Sequence, residues 1–288
     1  VVVKVQRPGI AEQVRADASI LVLIAQLLEL VVEEASHYHA VDLAEEFEEG
    51  LRNELDFSLE AKNLKAFAAF NRHRQGVHVP DLVEDLSGRT VLTMEFVRGR
   101  RITELRSATD AERTHAIVER LVKTAFEHFF VDGMFHADPH PGNLLVTESG
   151  DIAFIDFGLM GRVARGTQDR MLLVLLALSL RDADTLSRLL VRVGEVEDRI
   201  VLAEFRDAIA RLLDRYLGLS VGEVNSSEAL SELLELSTRF GVRMPREFAL
   251  LSKASVAIEG VVRTLHPGLN PSRWMAERTE TLLVERLD

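Results

Sequence analysis

The stretch that decides the fold of this chain is His136-Ala137-Asp138-Pro139-His140-Pro141-Gly142-Asn143. A second aspartate follows thirteen residues after Asn143, in Ile155-Asp156-Phe157-Gly158. Between the two motifs, apolar residues lie on both sides of a turn-forming segment at 148–151, which predicts a β-hairpin over residues 144–155. That hairpin would bring Asn143 and Asp156 together.

The spacing of these residues resembles the phosphate-transfer loop of protein-kinase-like enzymes. The amide oxygen of Asn143 and the carboxylate of Asp156 suit Mg2+, which prefers oxygen ligands. Asp138 is then left to accept or orient the proton of a substrate hydroxyl. The pattern therefore predicts ATP and Mg2+ as cofactors, Asp138 as the catalytic residue, and Asn143 and Asp156 as metal ligands. A surface turn would explain either motif alone, but not both with a hairpin between them.

A lysine stands inside the β-branched run Val1-Val2-Val3-Lys4-Val5, which Pro8-Gly9 closes. The run predicts a β-strand. In kinase-like folds such a lysine reaches the nucleotide phosphates and pairs with a glutamate on a helix. The alternative is an edge-strand lysine that only discourages aggregation.

Three segments of the chain are informative together: Lys-Val-Gln-Arg-Pro-Gly at 4–9, Glu-Leu-Asp-Phe-Ser-Leu-Glu-Ala-Lys-Asn at 54–63, and Phe-His-Ala-Asp-Pro-His-Pro-Gly-Asn at 135–143. They resemble the UbiB family of atypical protein-kinase-like proteins, also called aarF-domain or ADCK proteins. The resemblance runs from Val1 to at least Arg181. It implies a two-lobed ATP-binding domain that works at a membrane surface and supports ubiquinone or other isoprenoid-quinone lipid biosynthesis.

The resemblance also implies the ATP-binding residues. Lys4 resembles the phosphate-reaching lysine and Glu60 its helix partner, with Glu54 as the second choice. Glu54 and Asp56 match the family's Glu-x-Asp motif. At about 100° per residue, Asp56 and Glu60 would share one helix face while Glu54 points elsewhere. The three acids therefore cannot all serve one lysine.

The adenine is expected at a hinge that follows a strand over residues 89–97. By analogy with kinase-like topology, backbone groups of Glu95 and Val97 would hold the adenine, and Met94 would form an apolar wall of the pocket. Packing in the core is an equally compatible role for Met94.

The predicted fold class is α+β, mainly α, with a kinase-like architecture of two lobes. A truncated N-lobe occupies 1–97, and a helical C-lobe with the catalytic loop and the Asp-Phe-Gly turn occupies 98–288. One helix is expected to run from after Asp42 through the acidic motif to before His73, followed by strands over 78–83 and 89–97. Capping signals stand at Thr109, Asp182, Asn225 and Asn270.

Two apolar stretches, 20–32 and 171–180, are shorter than the ~18 uninterrupted apolar residues of a membrane-spanning helix. We predict that both are buried helices. His128 is expected to be a packed helix histidine, and His136 to brace the backbone of the catalytic loop.

Relatives in this family carry a Lys-x-Gly-Gln helix and an alanine-rich loop ahead of the lysine, and many bacterial members carry a hydrophobic tail. Here the sequence begins three residues before Lys4 and stops at Asp288. We therefore interpret it as a fragment, so the activity of the chain by itself is an open question.

Composition limits the partners. The chain has 34 basic and 46 acidic residues, a net charge of -12, which argues against a nucleic-acid partner. It has no cysteine, which excludes disulfides and thiol nucleophiles and fits a cytoplasmic location, or a peripheral one at the cytoplasmic membrane. The expected partners are a nucleotide and an isoprenoid lipid or quinone-biosynthesis proteins.

Two alternative functions remain. One is a small-molecule phosphotransferase of the aminoglycoside or choline kinase type, whose loop is similar but which would not be expected to carry the segments at 4–9 and 54–56. The other is a nucleotide-binding pseudokinase module. The presence of Lys4, Asp138, Asn143 and Asp156 argues against it. The primary prediction is an ATP- and Mg-dependent atypical kinase or ATPase.

Overall fold

The structure, a computed structural model, describes residues 1–31, 40–107, 111–196, 200–215 and 226–287. Two compact units emerge from it. Unit 1 consists of Val1–Arg72, Val79–Val97 and Asp156–Gly158, and unit 2 of His73–His78, Arg98–Ile155 and Leu159–Asp288.

A two-stranded antiparallel sheet carries Lys4 in unit 1. Strand β1 (Val2–Val5) pairs with β3 (Val91–Met94), with Val2 opposite Met94. β-Branched residues favour such extended backbone, and the predicted strand around Lys4 is confirmed. The strand predicted over 89–97 is shorter than expected.

The strand predicted over 78–83 is wrong in its extent. Strand β2 covers only Val77–His78, and Leu82 makes an isolated antiparallel bridge to Met94. Pro80 lies between them and has no N–H to donate, so it interrupts a continuous ladder.

Helix α1 (Ile10–Val31) follows Gly9, whose φ of 77° ends the strand segment with a turn. It packs along α2 (Ala40–Glu54). The buried residues of α1 are Ala18 and Ala25, as expected where small side chains let two helices approach closely.

Most of the large apolar side chains of α1 are exposed, so the prediction that stretch 20–32 is a buried helix is wrong for them, although Ala25 is buried. The exposed fractions are 56% for Ile20, 55% for Leu23 and 53% for Leu27. Val32 lies outside the described residues. The apolar stripe was visible in the sequence, but the surface that would cover it was not.

The acidic motif lies at a break between two helices. Helix α2 ends at Glu54, α3 covers Phe57–Asn71, and the Asp56 carboxylate accepts the Ser58 N–H at 3.0 Å as the N-cap. The predicted single helix is therefore wrong, and Asp56 does not share a helix face with Glu60. An aspartate cap satisfies backbone N–H groups only at a helix start. The buried face of α3 comprises Glu60, Leu64, Phe67 and Asn71.

The predicted hairpin is confirmed in unit 2. Strands β6 (Leu144–Thr147) and β7 (Ile152–Phe154) pair antiparallel, with Leu144 opposite Phe154. Gly150, at φ 89°, allows the tight turn between them. Strand β4 (Gly99–Arg101) pairs with β6, and β2 pairs with β7 in parallel.

Helix α4 (Ala111–Glu127) leads toward the catalytic loop. It continues into a π-helical turn over His128–Asp132, which Gly133 ends at φ 73°. The His128 side chain is buried at 1% exposure, so its predicted packing is confirmed. Strand β5 (Met134–His136) follows and pairs antiparallel with β8 (Met160–Arg162).

The remaining elements of unit 2 enclose an apolar core that includes Phe129, Phe205 and Phe248. They are α5 (Arg165–Ser179), α6 (Ala183–Val193), β9 (Glu195–Val196), α7 (Leu202–Asp214), α8 (Ser226–Arg239), β10 (Val242–Arg243), α9 (Arg246–Leu265) and α10 (Pro271–Leu287). None of the described helices is long and apolar enough for a membrane crossing.

The other element predictions of unit 2 have mixed outcomes. Burial of stretch 171–180 is confirmed at Met171 and Leu172, whereas Leu180 is 69% exposed just past the helix end. The cap at Asp182 is confirmed, because its carboxylate accepts the Thr185 N–H. Helix α10 begins directly after Asn270. The caps predicted at Thr109 and Asn225 lie outside the described residues.

Candidate functional site

Glu60 is the centre of a polar cluster in unit 1. The Lys4 ammonium donates to both of its carboxylate oxygens, at 2.8 and 2.9 Å. Glu60 is buried at 4% exposure, whereas the Lys4 side chain is 38% exposed. The predicted pairing of Lys4 with Glu60 is present, and the Lys4 side chain as a whole is partly exposed.

Two acidic groups hold Lys4 in its charged form. Its ammonium lies 3.5 Å from an Asp156 carboxylate oxygen and 5.3 Å from the centre of the Phe57 ring. Burial by itself would lower the pKa of Lys4, but hydrogen bonds and negative charge from Glu60 and Asp156 raise it above the ordinary value. Lys4 is therefore a permanent cation at neutral pH.

The Asp-Phe-Gly turn is tied to the same glutamate. Glu60 accepts the Phe157 N–H at 3.2 Å, and Asn63 donates its amide to the Phe157 carbonyl at 3.0 Å. The Phe157 ring is fully buried and packs against Phe67 at 5.8 Å between ring centres. Helix α3 thus orients both the lysine and the turn that carries Asp156.

The role of Asn63 was missed by sequence reasoning, although the residue stands in the family segment. Asn63 lies three residues after Glu60, so both side chains project from one side of α3. This spacing was the available signal.

The other residues of the acidic motif have different surroundings. Glu54 is exposed at the end of α2. The Asp56 carboxylate caps α3 and lies 3.4 Å from Arg89. The bond from Ser58 is the main reason that the pKa of Asp56 is lowered, with Arg89 adding to it. Of the three acids, Glu60 is the one that the structure brings to Lys4.

The expected hinge residues lie at the end of β3. The Glu95 N–H donates to the Asp81 carbonyl at 2.8 Å, so that donor is engaged within unit 1. Val97 is buried at 8% exposure and Met94 at 6%. Adenine recognition by Glu95 and Val97 stays a prediction. It would use backbone groups of these two residues other than the Glu95 N–H, which already has a partner.

The catalytic loop of unit 2 is held by its own side chains. The Asp138 N–H donates to His136 Nδ1 at 3.1 Å, and the Gly142 N–H donates to His140 Nδ1 at 3.2 Å. Asn143 donates its amide to the Asp138 carbonyl at 3.1 Å. The expectation that His136 braces the loop backbone is confirmed.

Asn143 in unit 2 and Asp156 in unit 1 each present oxygens of the kind that suits a hard divalent cation. Because the Asn143 amide nitrogen is used by the Asp138 carbonyl, the amide oxygen is the atom left for a ligand. The Ile155 N–H donates to the Asn143 carbonyl at 3.1 Å, and Ile155 is the residue before Asp156. In unit 1, one carboxylate oxygen of Asp156 accepts the Gly158 N–H at 3.0 Å. Amide and carboxylate oxygens are ligands that Mg2+ accepts.

Lys253 is a candidate residue that sequence reasoning missed. Its ammonium lies 3.2 Å from an Asp138 carboxylate oxygen, within unit 2. The two residues are 115 positions apart, and no motif in the sequence joins them.

Unit 2 also contains a narrow cavity of about 60 Å3 behind the loop. His136 and Pro139, on either side of Asp138, line it. The rest of the wall is mainly apolar and includes Phe126, Phe129, Leu251, Ala254 and Met275.

Comparison with known proteins agrees with this arrangement. The model of the ABC1 atypical kinase-like domain matches residues 1–190, and that of the UbiB helical domain matches residues 209–270. A probable protein kinase UbiB of Pseudomonas entomophila is 30% identical over 96% of this chain and 54% of its own length. The protein of that name in Pseudomonas aeruginosa PAO1 is 31% identical over 96% and 55%.

The fold has a solved counterpart. The fold aligns with the structure of the Rv3197–erythromycin complex from Mycobacterium tuberculosis, with 22% sequence identity and a TM-score of 0.59. The alignment covers 92% of the present chain and 71% of the chain in that complex.

These observations define a protein of the atypical kinase-like class, α+β and mainly helical, as predicted. The chain belongs to the ABC1 atypical kinase-like family, and a UbiB helical domain follows its kinase-like domain. It spans about half the length of the UbiB proteins that it matches.

Proposed function

We propose that this protein is an ATP- and Mg2+-dependent atypical kinase or ATPase of the UbiB type. The observation that carries the proposal is the position of Glu60, which binds Lys4 and the backbone of the Asp156-Phe157-Gly158 turn at once. In kinase-like enzymes a lysine–glutamate pair and a metal-binding aspartate must both be in place for phosphoryl transfer.

Each residue has a role in this proposal. Lys4 donates to the nucleotide phosphates, and Glu60 orients Lys4. Asn143 and Asp156 hold Mg2+, which supplies the charge that neutralises the phosphate oxygens. Backbone groups of Glu95 and Val97 receive the adenine.

Asp138 serves the acceptor. An acceptor hydroxyl or water oxygen forms a bond to the γ-phosphorus, and the bond from that phosphorus to the bridging oxygen breaks. Its electron pair leaves with ADP, while the proton of the acceptor passes to the Asp138 carboxylate. His136 supports this step by accepting the Asp138 N–H, which fixes the loop.

The acceptor or regulator is proposed to be an isoprenoid lipid of quinone biosynthesis. The apolar cavity beside Pro139 supports an apolar ligand, because its described lining residues include no lysine or arginine. Among the described residues of its wall the carboxylate is Glu259, which is paired with Arg263 at 3.2 Å. An uncharged, slender chain suits such a wall better than a phosphate group does.

A membrane surface is proposed as the place of action, at the cytoplasmic side. The exposed apolar side chains of α1, such as Ile20, Leu23 and Leu27, support it, because contiguous apolar surface marks interaction sites.

ATP hydrolysis in the presence of phospholipid vesicles tests the proposal. Asp156→Asn should lower the Mg2+-dependent rate by about 100-fold or more, since it removes charge from the metal ligand set. Asp85→Asn, an exposed aspartate of unit 1, is the matched control and should keep the wild-type rate. Nucleotide binding without turnover in the wild-type chain would instead support the pseudokinase alternative.

A further inference from the structure

The catalytic loop contains no lysine or arginine of its own. From Asp138 to Asn143 it reads Asp-Pro-His-Pro-Gly-Asn. His140 accepts the Gly142 N–H through Nδ1. Phosphoryl transfer nevertheless requires positive charge where the phosphoryl group moves. In unit 2, the cation that contacts Asp138 comes from another element, and it would add to the charge of Lys4 and Mg2+.

Lys253 meets that requirement. Its ammonium is 3.2 Å from the Asp138 carboxylate, and the two side chains are 53% and 37% exposed. An ammonium has three donors, so it can keep the carboxylate and still donate to a phosphate oxygen. The partial exposure of both groups leaves room for a ligand to reach the pair.

Helix α9 fixes the position of Lys253 from both sides. The neighbouring Ser252 is buried at 7% exposure, and its hydroxyl lies 2.7 Å from that of Ser231 on α8. On the other side, Ala254 is buried at 5% exposure. Because these contacts hold the backbone at Lys253, the base of its side chain has a fixed position. A lysine on a flexible surface loop would have no such fixed position.

We propose that Lys253 is a catalytic residue that donates to the terminal phosphate of the nucleotide beside Asp138. The inference rests on the proposed function. It assigns to the UbiB helical domain, which contains Lys253, a direct part in the chemistry of the kinase-like domain. The domain thereby supplies the cation that the loop lacks.

The proposal predicts a difference between ATP and ADP, because only ATP has the phosphate that Lys253 contacts. Binding of each nucleotide with Mg2+ is measured by calorimetry on the full chain. Lys253→Met should weaken ATP binding about tenfold and leave ADP binding within about twofold. It should also lower kcat by about 100-fold, which is typical for loss of one charge-stabilising donor. Lys253→Arg, which keeps the charge, should recover most of the ATP affinity.

Lys123→Met is the matched control. Lys123 is a helix lysine of unit 2 that lies 4.0 Å from Glu127, and its replacement should change neither affinity nor rate. Equal losses of ATP and ADP affinity in Lys253→Met would overturn the proposal, and so would an unchanged ATP affinity with an unchanged kcat. Failure of the wild-type chain to bind ATP would instead contradict the proposed function. If Lys253→Met unfolds, Lys253→Gln gives the same comparison with a polar side chain.

Discussion

Glu60 shows how one side chain can organise a site. A buried carboxylate is costly unless it is paired and hydrogen-bonded. Glu60 meets both conditions, with Lys4 on one side and the Phe157 N–H on the other. The same contacts that stabilise its charge also set the positions of the lysine and of the Asp156 turn. The contacts that satisfy the buried Glu60 carboxylate are therefore the same ones that the proposed function uses.

His128 makes the stability of unit 2 depend on pH. Burial, followed by the charges of Arg74 and His136, holds its pKa well below 6.5. The unfolded chain then binds more protons than the folded one below about pH 6.5, so stability is full above that pH and falls as the pH decreases. Between pH 7.5 and 5.5 we expect a loss of about 1.4 kcal/mol from this residue.

Chemical denaturation of the wild type and of His128→Phe at several pH values measures this effect. The variant should lose the low-pH slope, whatever its absolute stability. His73→Asn, at an exposed position, should keep the slope. Identical slopes in the wild type and His128→Phe would show that His128 does not carry the dependence.

At the same scale, sequence reasoning found the residues whose spacing is local or fixed by a motif. Lys4, Asp138, Asn143 and Asp156 belong to this group. Lys253 could not be found, because its contact with Asp138 joins two distant segments through the packing of α9. An exposed lysine on a helix has no sequence pattern that separates it from an ordinary solvated one.

At the scale of elements, the hairpin β6–β7 and strand β1 were predictable because alternation and turn residues are local signals. The break between α2 and α3 was not predicted, because the apolar periodicity continues through Leu55. The Asp56 N-cap nevertheless begins a new helix at Phe57. The exposure of α1 was also missed. Periodicity identifies an apolar face, but whether another surface covers that face is decided by the rest of the molecule.

The cavity lined by helices α4, α9 and α10 gives a prediction for an apolar ligand. Prenol, the shortest uncharged isoprenoid alcohol and small enough for such a cavity, should stabilise the protein by about 1.4 kcal/mol at ten times its Kd, seen as a rise of a few degrees in Tm. Ala254→Leu should abolish the rise, because Ala254 lines the cavity and a larger side chain would fill it. Prenyl diphosphate should have a weaker effect, since the described residues of the wall include no lysine or arginine.

Nonspecific binding to the exposed face of α1 is the competing explanation for such a rise. Leu23→Ser, at a side chain that is 55% exposed, separates the two. It should leave the prenol effect intact. A rise that persists in Ala254→Leu and disappears in Leu23→Ser would place the ligand on α1 and contradict the cavity assignment.

For the whole molecule, the net charge of -12 bears on how a nucleotide is bound. ATP without metal is strongly anionic, and the chain repels it at long range. The acidic groups Glu60 and Asp156 add to that repulsion close to Lys4. Mg2+ reduces the ligand's charge and gives Asp156 a cation to bind, so nucleotide binding should require the metal.

Thermal unfolding measures this dependence in the complete chain. With Mg2+ and ATP at about 100 times Kd, stability should increase by about 2.7 kcal/mol, which raises Tm by several degrees in a chain of this size. EDTA should remove nearly all of the rise, and Asp156→Asn should show little of it even with Mg2+ present. The control Asp85→Asn should match the wild type, because its carboxylate lies outside the proposed ligand set. A full rise in EDTA would mean that Lys4 and the backbone bind the nucleotide without metal, and Asp156 would then lose its assigned role.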